Sequence, residues 1–189
     1  MKTLQLTAAF AFTLALVCCK GSEPKTDQIA AVTDNPELIN LYTADQADRQ
    51  TENINWPVVL KNDSLRQARV NQLLHAGQVR TALDYANAAM IFQHGQDTVA
   101  SGMAVKMMKQ AIALDPAADK WLLAAAIDRD LMRRGKPQIY GTQYVKINDE
   151  PAKLYDIDTT QISDAERQEY GVETLAEQRE KVKSMNKQQ

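Results

Sequence analysis

The chain has 189 residues, of which 44% are hydrophobic and 24% charged, a mixture that fits one globular domain with a real core. Its 22 Lys plus Arg against 24 Asp plus Glu leave a formal charge of -2, without the basic excess of a nucleic-acid binder, so no nucleic-acid partner is expected. With two histidines and two cysteines, the latter both at positions 18 and 19, the composition argues against a Cys/His zinc site, a disulfide scaffold and a cysteine nucleophile.

Residues 1–18 read as a signal peptide, with Lys2 followed by the apolar run Leu4 to Val17. That run is too short to span a bilayer, which takes about 20 residues. It ends at Leu16-Val17-Cys18-Cys19 before a polar stretch, which resembles a bacterial lipobox. The resemblance implies acylation of Cys19, with Leu16 three positions before it, or of Cys18 as the alternative. Residues 19–33 would then be a lipidated polar tether, the membrane the first partner, and the cell envelope the location.

From residue 34 onward a single, mainly helical domain is expected. Asn35-Pro36 opens a first helix with Leu38, Ile39, Leu41 and Tyr42 on its apolar side. After a linker around Trp56-Pro57, Asp63 or Ser64 caps a second helix that stops at Gly77. A third runs from about Thr81 to Gln93 and a fourth from about Thr98 to Leu114, closed by Asp115-Pro116. The fifth spans about Ala117 to Arg134. Residues 104–116 resemble the second helix of a tetratricopeptide or Sel1-type repeat, which implies antiparallel helical hairpins. Met103, Met107 and Met108 fall at helical spacing and are expected in the core. Gln138 to Ile147 and Ala152 to Ile157 read as a β-hairpin about the turn at Asn148-Pro151. Ser163 with Glu166 caps a short helix, and a terminal helix follows from about Glu173 to Met185.

Chemistry concentrates at Asp128 and Arg129. Trp121, Ala125, Asp128 and Met132 share one face of the fifth helix, so a carboxylate and a guanidinium stand where burial is expected, and each then needs a partner. Three outcomes are open: an ion pair, an Asp128 that accepts backbone N–H groups from the next loop, or a pocket in which Arg129 grips an anion. The following segment, with Gln138, Tyr140, Gly141, Thr142 and Gln143, has the adaptable donors and acceptors to cover that pair or to line a ligand site. His94 ends the third helix, either as a helix-terminal residue or in a site with Asp128 and Tyr85 as a general base. His75 reads as a helix-end residue only. No metal site reaches three ligands, no cofactor is expected, and no serine sits in a nucleophile elbow.

The run from Asp84-Tyr85 to Phe92-Gln93-His94-Gly95, then Trp121, Asp128-Arg129 and the Gly-x-Pro-Gln-x-Tyr-Gly-Thr-Gln stretch at 135–143, resembles an uncharacterised bacterial domain family, from about Asp45 to Lys181. The resemblance implies a helical fold and points to these residues without implying a reaction. The expected function is a lipid-anchored, non-catalytic binding module for a peptide, a protein or a small anionic ligand, with Tyr85, His94, Asp128, Arg129, Gln138, Tyr140, Gly141, Thr142 and Gln143 as binding residues. The alternatives are a hydrolase or transferase that uses His94, Asp128 and Arg129, and a purely structural signature.

Overall fold

The computed structural model describes residues 32–187; the leader, Cys18, Cys19 and most of the tether lie outside them. The described chain is mainly helical, with α1 (Pro36–Ala47), α2 (Trp56–His75), α3 (Ala82–Gln93), α4 (Thr98–Leu114), α5 (Lys120–Arg133), a hairpin of β1 (Tyr144–Val145) and β2 (Lys153–Leu154), then α6 (Asp164–Glu169) and α7 (Leu175–Lys187). None of these helices is long and apolar enough to cross a membrane.

Short polar caps set most of the boundaries. Asn35 accepts from the Glu37 and Leu38 amides at the start of α1, with Pro36 in the first turn. Thr81 and Asp84 form a reciprocal capping box on α3. Asp84 is fully buried and also accepts from the Asn35 amide at 2.7 Å, so one carboxylate joins the starts of α1 and α3.

The second helix begins seven residues before the expected Asp63. Asn55 is its cap, accepting from the Val58 amide, and Trp56-Pro57 is its first turn rather than a linker. Asp63 and Ser64 therefore lie inside α2. The buried residues Val59, Asp63, Arg66, Val70 and Leu73 recur at helical spacing, so Asp63 and Arg66 stand on the packed stripe.

The main core holds Leu38, Val70, Leu73, Ala88, Ile91, Phe92, Met107, Met108, Leu122 and Ala126, drawn from α1 to α5. Small alanines let α3, α4 and α5 approach closely as sequential antiparallel neighbours. Met107 and Met108 are buried there, with Met103 packed against them. Trp121 departs from its expected buried place: it stands in the first turn of α5, 42% exposed, because the core has closed around Leu122 and Leu123.

The hairpin is shorter than expected. Only Tyr144–Val145 and Lys153–Leu154 pair antiparallel, while Gln138 and Ile157 form an isolated parallel bridge. The segment from Gln138 to Gln143 is instead wrapped around a side chain of α5, as described next.

Candidate functional site

Two polar centres lie against α5, on different sides of it. The first is built on Asp128, which is fully buried. Its Oδ1 accepts from the amides of Ile139 and Tyr140 at 2.8 and 2.9 Å. Its Oδ2 accepts from the amides of Gly141 and Thr142 at 2.8 and 2.9 Å and from Thr142 Oγ1 at 2.8 Å. Five donors on one carboxylate account for its lone pairs, and four otherwise orphaned backbone N–H groups are satisfied at once.

The rest of the loop closes upon itself. Gln138 is fully buried; its Oε1 accepts from the Gln143 amide, and its Nε2 donates to the Gln143 and Tyr155 carbonyls. Gln143 Nε2 donates to Thr142 Oγ1 and, at 3.4 Å, to the Ala125 carbonyl. Arg167 of α6 donates through Nε to the Tyr140 carbonyl and through Nη2 to that of Ile139. Gln178 of α7 donates to the same Tyr140 carbonyl at 2.8 Å. Gly141 has φ +93, and a side chain there would collide with the Gln178 amide. Burial, followed by the Tyr170 hydroxyl beside it, raises the Tyr140 pKa.

Of the three outcomes open for Asp128, the geometry is therefore the backbone-accepting one. Asp128 has no capacity left for a ligand or for proton transfer, so it does not join His94 and Tyr85 in a shared site. Gln138, Tyr140, Gly141, Thr142 and Gln143 are likewise engaged with the fold. The loop closes over Asp128 alone; Arg129, one residue on, faces another direction. Tyr85 packs against the main core.

The second centre is where α1, α2, α3 and α5 meet. His94, the C-terminal cap of α3, places Nδ1 at 2.8 Å from Asp45 Oδ2, and Asp45 is fully buried. Arg49 pairs with Asp45 at 3.2 Å and with Asp63 at 2.6 Å. Arg66 pairs with Asp63 at 2.8 Å and with Asp48 at 2.9 Å, and its Nε stands 3.6 Å from Asp45. The hydrogen bond from Asn62 comes first among the causes that lower the Asp48 pKa, with Arg66 and Arg49 adding to it against burial.

Along α5, Ala125, Arg129 and Arg133 recur every four residues and share a face. The Ala125 carbonyl accepts from Gln93 Nε2 at 3.2 Å, and Arg133 Nη1 donates to the Gln96 carbonyl at 2.7 Å. Arg129 stands between these two positions along the helix, within electrostatic reach of Arg133 and Arg49. The segment that carries His94 is fixed by Gly95, where an added Cβ would collide with the Ala100 side chain.

Arg129 has no hydrogen-bond or ion-pair partner among the described residues. Its Nε is buried without a hydrogen bond, as is that of Arg133. Neither guanidinium takes part in an ion pair among the described residues. The Arg129 pKa is lowered first by burial and then by the like charges of Arg133 and Arg49. The centre gathers four arginines, Arg49, Arg66, Arg129 and Arg133, against Asp45, Asp48 and Asp63. Its surplus of positive charge lies on the α5 side. Among the described residues no group of three or more His, Cys, Asp and Glu side chains is placed to hold a metal ion.

Sequence reasoning found His94 and Arg129 of this centre and missed Asp45, Arg49, Asp63, Arg66 and Arg133. The signal was present: Asp63 and Arg66 interrupt an apolar stripe on α2 just as Asp128 interrupts one on α5. Taking Asp63 for a cap hid it.

No curated protein and no solved structure shows significant similarity to the chain. A profile described as a family of unknown function, DUF6624, matches residues 63–185. The match begins inside α2 and runs into α7, and so takes in both polar centres apart from Asp45, Asp48 and Arg49. It covers more than half of the chain, which therefore belongs to the DUF6624 family of unknown function.

Proposed function

We propose that this is a lipid-anchored envelope protein whose helical body is a binding module for an oxyanion-bearing ligand, held by Arg129 and Arg133 beside His94. The observation that supports this reading is the half-buried guanidinium of Arg129, whose Nε is buried without a hydrogen bond and which has two like charges next to it. A buried cation without a counter-charge costs several kcal/mol, so a fold that keeps one gains when an anion arrives. Guanidinium is also the side chain best matched to a two-oxygen anionic group. The loop at residues 138–143 serves the fold in this reading: it ties α6 and α7 to α5 around Asp128.

The anchor rests on the lipobox-like stretch ending at Cys19. Isothermal titration of the full-length protein with inorganic phosphate tests the binding reading. Heat of binding in the wild type that Arg129→Gln abolishes supports it, and an athermal, unshifted wild type in both titration and thermal melt refutes it. Membrane fractionation of Cys19→Ala tests the anchor, since the variant should move to the soluble fraction; an unchanged distribution excludes acylation at Cys19.

A further inference from the structure

The second centre holds more than cations. Asp45 is fixed by Gln46 Nε2 at 2.8 Å, by Arg49 and by the approach of Arg66, all donors, so it faces His94 as a pure acceptor. Both of its oxygens lie within 3.1 Å of His94 Nδ1, which therefore carries the proton. The other ring nitrogen, Nε2, has no protein hydrogen-bond partner among the described residues. The His94 side chain keeps 18% of its surface exposed, so a ligand can reach it. This is the base-and-orienter half of a catalytic constellation. Among the described residues no serine, threonine or cysteine side chain is hydrogen-bonded to it, so the nucleophile proposed is water.

The electrophile follows from the charges. Arg129 and Arg133, one turn apart and both without a carboxylate, match the double negative charge of a phosphate monoester. They also remain in place as charge shifts onto its oxygens during hydrolysis. Building on the anion site proposed above, we infer that the protein hydrolyses phosphate monoesters, with His94 as general base and Asp45 as its positioning residue. His94 Nε2 takes a proton from water while the water oxygen bonds to phosphorus. The bond from phosphorus to the ester oxygen breaks, and its electron pair leaves on the alcohol oxygen, which takes a proton from solvent. The imidazolium then returns its proton to solvent, so ester and water become alcohol and phosphate.

The test uses the full-length protein and p-nitrophenyl phosphate. The expected result is wild-type turnover that His94→Ala lowers at least about 100-fold, the usual scale of a general base. Added imidazole should restore part of that loss, which a merely structural histidine would not show. Asp45→Asn should lower kcat while the KM and the affinity for inorganic phosphate stay within about threefold. Arg129→Gln should instead raise the KM and weaken phosphate binding. If phosphate binds and Arg129→Gln abolishes that binding, yet the wild type releases no p-nitrophenol, hydrolysis is overturned and the anion site stands. If phosphate does not bind at all, both fall. Turnover that survives in His94→Ala at the wild-type rate also overturns the assignment. Should Asp45→Asn fail to fold, His94→Ala with imidazole still decides the question.

Discussion

At Asp128 and Arg129, neighbours in the chain, burial is handled in opposite ways. Asp128 is saturated by donors, so replacing it affects the fold: in Asp128→Asn an N–H₂ group must face backbone N–H groups. Each buried donor left unmatched costs about 1–3 kcal/mol, and the expected loss is at least about 3 kcal/mol in denaturant unfolding. Arg129 makes no compensating hydrogen bond or ion pair among the described residues, so Arg129→Met should leave stability unchanged or raise it by about 1 kcal/mol while phosphate binding is lost. A destabilised Arg129→Met would mean that the guanidinium serves the fold. Asp128 was singled out in the sequence because a carboxylate on an apolar helical stripe must find donors. Which donors it found was not readable, since four of them are backbone amides of a loop whose path only the folded chain defines.

At the scale of elements, the loop from Gln138 to Gln143 joins α5 to the C-terminal helices. The Tyr140 carbonyl receives both Arg167 from α6 and Gln178 from α7. Gly141→Ala forces Gln178 out of place in a backbone region that alanine avoids, and is expected to cost at least about 2 kcal/mol. Amide exchange should then quicken first across α7, and uniform exchange in the variant would contradict this coupling. Tyr140 adds a pH dependence. Its pKa is raised above the ordinary value of 10.0 by burial and then by Tyr170, whose ring centroid is 4.9 Å away. A raised pKa stabilises the fold below the unfolded value and the contribution is lost as pH climbs past it. Denaturant midpoints should therefore fall above about pH 10, and Tyr140→Phe should flatten that slope. The hairpin beside the loop was expected to be longer because β-branched and aromatic residues fill the segment. Ile139 and Tyr140 pack, but the amides of 139–142 are taken by Asp128 and are not free to pair with a strand.

For the whole molecule, α1 is decisive out of proportion to its length. It precedes the family match, yet it brings Asp45 to His94 and Arg49 to Asp63. Removing residues 1–52 would leave Asp63 without Arg49 and His94 without its acceptor, besides uncovering the core site of Leu38. A drop in melting temperature of about 10 °C or more is expected, several kcal/mol at this size, together with loss of phosphate binding. Full retention of both in the truncated chain would show that α1 is peripheral.

Local rules were enough for the helical class, the caps at Asn35 and Ser163, the methionine core and the burial of Asp128, because periodicity and capping act within a few residues. The start of α2 was misjudged for a reason equally local: Asp63 is a good cap by type, and nothing nearby in the chain announces Arg49 as its partner. Tertiary structure decided which charges meet. An ion pair between α1 and α2 or a histidine turned toward Asp45 depends on how amphipathic faces stack, and that stacking is set by the summed packing of five helices rather than by any one stretch of sequence. By the same route the fold satisfied Asp128 completely and left the Arg129 Nε buried without a hydrogen bond.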